Sequence, residues 1–204
     1  EQATPIQSAS LPPALAGQDV LASAMTGSGK TAAFVLPILQ RLHGNERKRA
    51  TRALVLTPTR ELAAQVHEHL LALGKHTKVR AATVFGGVRP EAQVKALRSG
   101  VDVVVATPGR LLDHMRKPWF RIEQLEVLVL DEADRMLDMG FLPDIRRILA
   151  KLPERRQTMM FSATLPREIV SLSQQLLNEP VRVDDDRPAS PASTSAARAG
   201  RSCR

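Results

Sequence analysis

The chain has no tyrosine, one tryptophan and five phenylalanines, so aromatic residues make up 3% of its 204 positions. That scarcity excludes a surface built as a row of stacking platforms for flat rings. Its one cysteine, Cys203, excludes an internal disulfide framework and points to a reducing compartment. No apolar run approaches the roughly 18 residues of a membrane-spanning helix, which points to a soluble, cytoplasmic protein without membrane contact. No charged-then-apolar leader opens the chain, and without an initiator Met, Glu1 reads as an internal start. His67 and His69 stand two apart on a helical stretch, hence on different faces, which argues against a shared metal and for surface positions. Met136, Met139, Met159 and Met160 are assigned to core gaps or turns, and Trp119 to a loop anchor.

What is present is ample apolar and basic material. Hydrophobic residues form 43% of the chain, enough to bury the core of one domain. The formal charge is +8, but residues 187–204 hold four Arg and no acid, so subtracting those four leaves +4 on residues 1–186. Such a surplus suits a polyanion without requiring one. Short apolar runs recur at 19–24, 53–57, 81–85, 101–106, 127–130 and 158–161, too continuous for half-exposed strands. Between them, 31–42, 61–73, 91–97, 111–115, 145–149 and 168–177 have helical spacing. Buried strands alternating with amphipathic helices predict an α/β fold, a doubly wound parallel sheet covered on both faces. From Asp184 the pattern gives way to Pro, Ala, Ser, Thr and Arg, so 184–204 is expected to be a disordered tail behind a domain spanning 1–183.

Ligands of such sheets bind beyond the carboxyl ends of the strands. The first run leads into Ala24-Met25-Thr26-Gly27-Ser28-Gly29-Lys30-Thr31 and then a helix, a Walker A loop with Ala24 where the strict pattern has Gly. Gly27 and Gly29 allow a turn whose amides converge on phosphate, Lys30 reaches the outer phosphates and Thr31 offers its hydroxyl to Mg2+. Against a plain Gly-Ser turn stand the strand before, the helix after and the adjacent Lys-Thr. The fifth run ends in Asp131-Glu132-Ala133-Asp134. Asp131 would hold the metal and Glu132 would polarise the attacking water of ATP hydrolysis. An isolated Asp-Glu could equally be favoured by a helix N-terminus; the upstream P-loop tips the reading to catalysis.

Two strands end alike, in Thr57-Pro58-Thr59-Arg60 and in Thr107-Pro108-Gly109-Arg110. Each has an ordinary reading as a helix start, with Thr as cap and Pro at the first position. Each also aims free amides and an Arg outward, and two anion sites on one sheet edge suggest a polynucleotide backbone. Gly86-Gly87 is a simple turn or a further point of close backbone approach. Binding through phosphates predicts salt sensitivity and indifference to base sequence. Ser162-Ala163-Thr164 after the sixth strand reads as helix capping, or as a link between the acidic turn and the nucleic acid.

With Thr4-Pro5-Ile6-Gln7, these segments in this order and spacing resemble the DEAD-box family of ATP-dependent RNA helicases, specifically their first RecA-like domain. In that family Ala24 is usual. The resemblance implies that Thr4 and Gln7 belong to a motif reading adenine, and that Pro58, Thr59, Arg60, Gly87, Thr107, Pro108, Gly109 and Arg110 lie along the RNA backbone. It also implies that Asp134, Ser162 and Thr164 couple hydrolysis to strand separation, with ATP and Mg2+ as cofactors. Three departures stand out: Met25 replaces the usual Gln, the aromatic residue upstream of the adenine motif is absent, and so is the second RecA-like domain with its arginine fingers. The chain alone, expected to be a monomer, should then bind rather than unwind. A non-enzymatic ATP or RNA binding module and a DNA helicase or translocase domain are the competing readings.

Overall fold

A computed structural model of the chain describes residues 2–44 and 49–184. Seven strands are found: β1 (Val20–Ser23), β2 (Ala53–Leu56), β3 (Ala81–Val84), β4 (Val103–Ala106), β5 (Val127–Leu130), β6 (Gln157–Ser162) and β7 (Val181–Asp184). They form one sheet in the order β3-β4-β2-β5-β6-β1-β7, with every pairing parallel. Eight helices accompany them among the described residues, α1 (Pro5–Leu15) before β1 and the rest between strands: α2 (Lys30–Leu42), α3 (Arg60–Leu73), α4 (Glu91–Ser99), α5 (Pro108–Met115), α6 (Ala133–Asp138), α7 (Leu142–Leu149) and α8 (Arg167–Leu176).

Successive strand side chains point to opposite faces, and here both faces are dry. Leu54, Leu56, Leu128, Leu130 and Met160 meet Leu97, Leu111, Ile145, Ile148 and Ile169 on the face covered by α4 to α8. Ala53, Val55, Val127, Val129 and Phe161 meet Ile6, Phe34, Ile38, Val66 and Leu70 on the face covered by α1 to α3. Each fully buried large aliphatic side chain contributes about 1.5–3 kcal/mol. The uninterrupted apolar runs follow from this double burial. Met136, Met159 and Met160 are core, whereas Met139 is 48% exposed at the end of α6. Trp119 lies under the Arg98 guanidinium, 4.4 Å from the ring centre, and packs against the α4–α8 core, as its anchor role required.

Two polar staples fix the sheet's amino edge. Buried Arg52, just before β2, donates to Glu126, just before β5, at 2.7 Å. Asp19 accepts from the amides of Thr158 and Asn178, both at 2.7 Å, tying the starts of β1 and β6 to the turn that leads into β7.

The structure adds β7, α1 and α6 to the expected elements. β7 alternates Val and charged residues on a sheet edge with only Val183 buried, so no apolar run announces it. It also carries the sheet through Asp184, one residue past the expected domain limit. The rest of the expected tail, with Cys203, lies outside the described residues. α1 carries Pro12 and Pro13 and is set by its cap: Thr4 accepts from the Gln7 amide while the Gln7 side chain accepts from the Thr4 amide. The Thr57 and Pro58 reading needs correction as well. Thr57 is fully buried and Thr59, not Thr57, caps α3, accepting from the Leu62 amide at 3.2 Å.

Asp19→Ala is expected to lower stability by about 2–3 kcal/mol, because two charge-assisted hydrogen bonds are lost and a buried amide is left bare. Urea unfolding followed by circular dichroism, with an unchanged slope against denaturant, measures this.

Candidate nucleotide and nucleic-acid site

Parallel strands deliver every connecting loop of interest to one edge. The loop from β1 to α2 begins beside β6, where the Ala24 amide donates to Ser162. Ser28 donates both its amide and its hydroxyl to the Met25 carbonyl, at 3.3 and 2.8 Å, closing the turn. Met25 contributes that carbonyl while its side chain is 67% exposed, so Met in place of Gln leaves the turn intact. Gly29 has φ +88° and caps α2; a Cβ there would sit 2.7 Å from Gln7 Nε2 and 3.1 Å from Thr4 Oγ1. Both the left-handed conformation and the contact with α1 require glycine. Gln7 Nε2 donates to the Gly29 carbonyl at 3.1 Å, binding the start of α1 to the phosphate loop.

At the centre, Lys30 Nζ lies 3.1 Å from Asp131 Oδ1 and 3.6 Å from Glu132 Oε1. The three residues are buried. The Lys30 contacts are ion pairs by distance but not aligned hydrogen bonds, so Lys30 Nζ and both Asp131 oxygens have no hydrogen-bond partner. Burial raises the Asp131 pKa above the usual carboxylate range, with Lys30 opposing the shift. Glu132 is held on both oxygens: Thr26 Oγ1 donates to Oε1 at 3.0 Å and Arg135 to Oε2 at 3.2 Å. It caps α6 in the left-handed region, φ 51°, a conformation that costs a non-glycine residue energy and is common at sites of function.

A cleft of about 510 Å³ opens beside this cluster, lined by Gln7, Thr26, Gly27, Gly29, Lys30 and Thr31 and bounded below by Glu132 and the α3 wall of Leu62, Gln65 and His69. The sequence reading gave His69 no role; it is a wall of the cleft. Among the described residues no cluster of three or more His, Cys, Asp or Glu could cage a metal.

The third connection runs through Asp134. Its amide donates to Ser162 Oγ at 3.1 Å, and its Oδ2 accepts from the Thr164 amide and hydroxyl at 2.9 and 2.8 Å. Burial pushes the Asp134 pKa up, but hydrogen bonds with Thr164, the Arg135 amide and Ser162 together outweigh it and the net shift is downward. Helix capping by Ser162 and Thr164 of the helix that follows them is therefore not observed: α8 starts at Arg167 with no side-chain cap. The two hydroxyl residues instead hold the acidic turn after β5.

The DEAD/DEAH box helicase family model matches residues 4–172. The chain belongs to that family. It is 50% identical over 188 residues to DEAD-box ATP-dependent RNA helicase 28 of Oryza sativa subsp. japonica, a match covering 91% of this chain and 23% of that protein. It is 45% identical over 183 residues to the DEAD-box ATP-dependent RNA helicase CshA of Bacillus cereus, covering 90% of this chain and 34% of that one. Among solved structures, a DEAD box protein from Methanococcus jannaschii superposes with a TM-score of 0.85 at 36% identity, covering 91% of this chain and 50% of that chain. A hypothetical ATP-dependent RNA helicase from Sulfolobus tokodaii gives 0.82 at 40% identity, covering 90% and 53%. The chain thus spans a quarter to a half of the relatives it matches, and its fold is that of their RecA-like domains.

In this DEAD-box domain the remaining sequence-predicted residues gather on the other half of the same edge, above β2, β4 and β3. Arg60 is exposed at the start of α3, its Nε donating to Glu61 at 2.7 Å. Gly87, φ +80°, faces it: a Cβ there would lie 3.3 Å from Arg60 Nη1. Thr107 caps α5 through its backbone only, leaving the hydroxyl free of capping, and Pro108 is the first helical residue. A Cβ on Gly109 would meet no protein atom within 4 Å. No helix among the described residues is long and apolar enough to cross a membrane. Sequence reasoning missed Arg135, three residues after Glu132 on α6, and Gln93 of α4; the i,i+3 spacing signalled the first, and nothing in the sequence alone singled out the second.

Lys30→Ala is expected to cost about 3 kcal/mol at pH 7.5, because it strands a buried carboxylate. A carboxyl whose folded pKa is raised favours the folded chain when protonated, so this cost shrinks as pH falls through that raised value. Adding Asp131→Asn should recover most of the loss at pH 7.5. Urea unfolding of both variants across pH 5 to 8 measures these effects, and a loss independent of pH would contradict the pairing.

Proposed function

We propose that this domain binds ATP with Mg2+ and the backbone of single-stranded RNA, and hydrolyses ATP as part of a cytoplasmic RNA helicase when a second RecA-like domain closes over the nucleotide. The observation that carries the reading is the buried cluster of Lys30, Asp131 and Glu132, of which Lys30 and Glu132 line a cleft shared with the phosphate loop.

In the free domain, Lys30 neutralises Asp131 and Glu132 where an outer phosphate would otherwise draw it. Nucleotide binding supplies that phosphate, and Lys30 turns from carboxylate to phosphate. Asp131 suits a hard divalent cation: two buried, acceptor-only oxygens without hydrogen-bond partners, paired with Lys30, the residue before Thr31. Mg2+ is usually held by one or two protein oxygens plus substrate phosphates. Bound there by Thr31 and Asp131, Mg2+ would neutralise charge developing on the phosphates. Glu132, fixed by Thr26 and Arg135, orients the water that forms the new bond to the γ-phosphorus as the bridging bond to the β-phosphate breaks, and takes up its proton. Gln7, anchored to Gly29, is proposed to sense the base. Asp134, Thr164 and Ser162 join the carboxyl ends of β5 and β6, so a shift at Glu132 reaches the loop after β6, where the second domain is proposed to close.

The RNA path is proposed along Pro58, Thr59 and Arg60, Gly87, and Thr107, Pro108, Gly109 and Arg110. Open space at Gly109 supports it, since neither the fold nor the local conformation demands glycine there.

ATP hydrolysis with and without single-stranded RNA, for the chain, for the chain supplemented with a second RecA-like domain, and for Glu132→Gln in each, tests the enzyme. The supplemented mixture should hydrolyse ATP only with RNA, and Glu132→Gln should bind nucleotide while losing about 10²–10⁴ of the rate. Hydrolysis that never rises above the Glu132→Gln level would leave a binding module. DNA competing as well as matched RNA would favour the DNA translocase instead.

Gly109→Ala separates fold from function by opposite signs. Helix propensity should raise stability by about 0.5 kcal/mol. RNA affinity should fall about fivefold, the scale of one lost hydrogen bond. Thermal melting and fluorescence anisotropy with labelled RNA read the two effects, and unchanged RNA binding would remove Gly109 from the path.

A further inference from the structure

β3 is the edge strand of the sheet, so the loop that follows it, residues 85–90, has a strand on only one side. That inner side is fixed by the Thr107 amide, which donates to the Val84 carbonyl at 3.0 Å. The outer side is held by one side chain. Gln93, in the first turn of α4 and 7% exposed, donates from Nε2 to the Phe85 carbonyl at 3.0 Å. A carbonyl only accepts, so the amide orientation is set by this bond. The other amide atom, Oε1, is buried without a partner. The bond ties the end of β3 to α4 across the loop and lies two residues from Gly87, whose backbone faces Arg60.

We propose that Gln93 is a positioning residue for RNA: through Phe85 it holds the Gly86-Gly87 backbone at the height at which a phosphate can reach both that backbone and Arg60. The inference rests on the RNA reading of this edge and deepens it by naming what fixes the Gly86-Gly87 loop. Removing the bond should cost binding and spare the fold, because Gln93→Leu also removes the orphaned Oε1 and keeps an apolar volume at a buried site.

Fluorescence anisotropy with labelled single-stranded RNA at low salt, on the full chain, provides the test. Gln93→Leu should weaken RNA binding about fivefold to tenfold, the scale of one buried hydrogen bond, with nucleotide affinity and melting temperature unchanged. In a Gly87→Ala background, where the loop is already displaced, Gln93→Leu should add little. Gln93→Glu puts a carboxylate against the carbonyl and should weaken binding at pH 8. Its affinity relative to the unchanged chain should recover as the pH falls and the carboxyl regains a proton to donate. RNA affinity unchanged in Gln93→Leu overturns the proposal, as does a joint fall in RNA affinity, nucleotide affinity and melting temperature, or a relative affinity of Gln93→Glu that is flat with pH. Failure of the unchanged chain to bind RNA would instead remove the RNA reading on which the proposal stands.

Discussion

Seven strands run in one direction, and none of them can be joined to its neighbour by a tight turn. Each return must cross a face of the sheet, so helices cover both faces and every strand's carboxyl end opens on the same edge. The order β3-β4-β2-β5-β6-β1-β7 then divides that edge. β1, β5 and β6 present the phosphate loop, the acidic turn and Ser162, while β2, β4 and β3 present Arg60, the Thr107–Arg110 turn and Gly87. The halves abut where β2 pairs with β5, so Asp131, whose amide donates to Leu56, is bonded to the strand that leads into Arg60. The proposed coupling between the two halves would need no long pathway, because the strands that carry them are adjacent.

Within the nucleotide half, charge has been taken out of water and left incompletely satisfied. Asp131 and Lys30 meet at 3.1 Å without an aligned hydrogen bond, in a place where burial raises the carboxyl pKa. A stable structural ion pair would fill its remaining lone pairs. Here they stay unfilled behind Lys30, which lines the cleft, an arrangement that suits the proposed exchange of partners on nucleotide binding. Asp134, two residues beyond Glu132, is the contrast: the Thr164 amide and hydroxyl donate to its carboxylate, its own amide donates to Ser162 Oγ, and its pKa is lowered. The first carboxylate is left with unfilled acceptor positions, and the last is fixed by its hydrogen bonds.

Those differences explain what could be read in advance. The six apolar runs were legible because burial on both faces leaves no polar alternation. β7 was not, because an edge strand with one face wet reads Val-Arg-Val-Asp. The residues of the phosphate loop and the acidic turn were legible because glycine, lysine and paired carboxylates are rarely placed together for packing alone. Their present partners were not: that Lys30 rests on Asp131 or that Thr164 bonds Asp134 depends on distances set by the sheet register, across more than a hundred residues for Thr26 and Glu132, whereas the i,i+3 pair of Arg135 and Glu132 is local. His69 was set aside as one of a pair of histidines that cannot share a metal. That reasoning concerned His67 and left open what α3 itself faces.

The glycines show how fold and ligand requirements can be told apart. Gly29 and Gly87 have positive φ and close neighbours, Gln7 and Thr4 for one and Arg60 for the other, so the protein itself demands them. Gly109 has an ordinary helical environment and empty space where a side chain would project. Glycine in a helix is less stable than alanine, so a fold selected for stability alone would have no reason to keep it at the start of α5. The space above it lies beside the free Thr107 hydroxyl and the first amides of a helix, the partial positive end that attracts phosphate. The proposed RNA path, with its backbone within van der Waals reach of a phosphate here, would explain the glycine where packing does not.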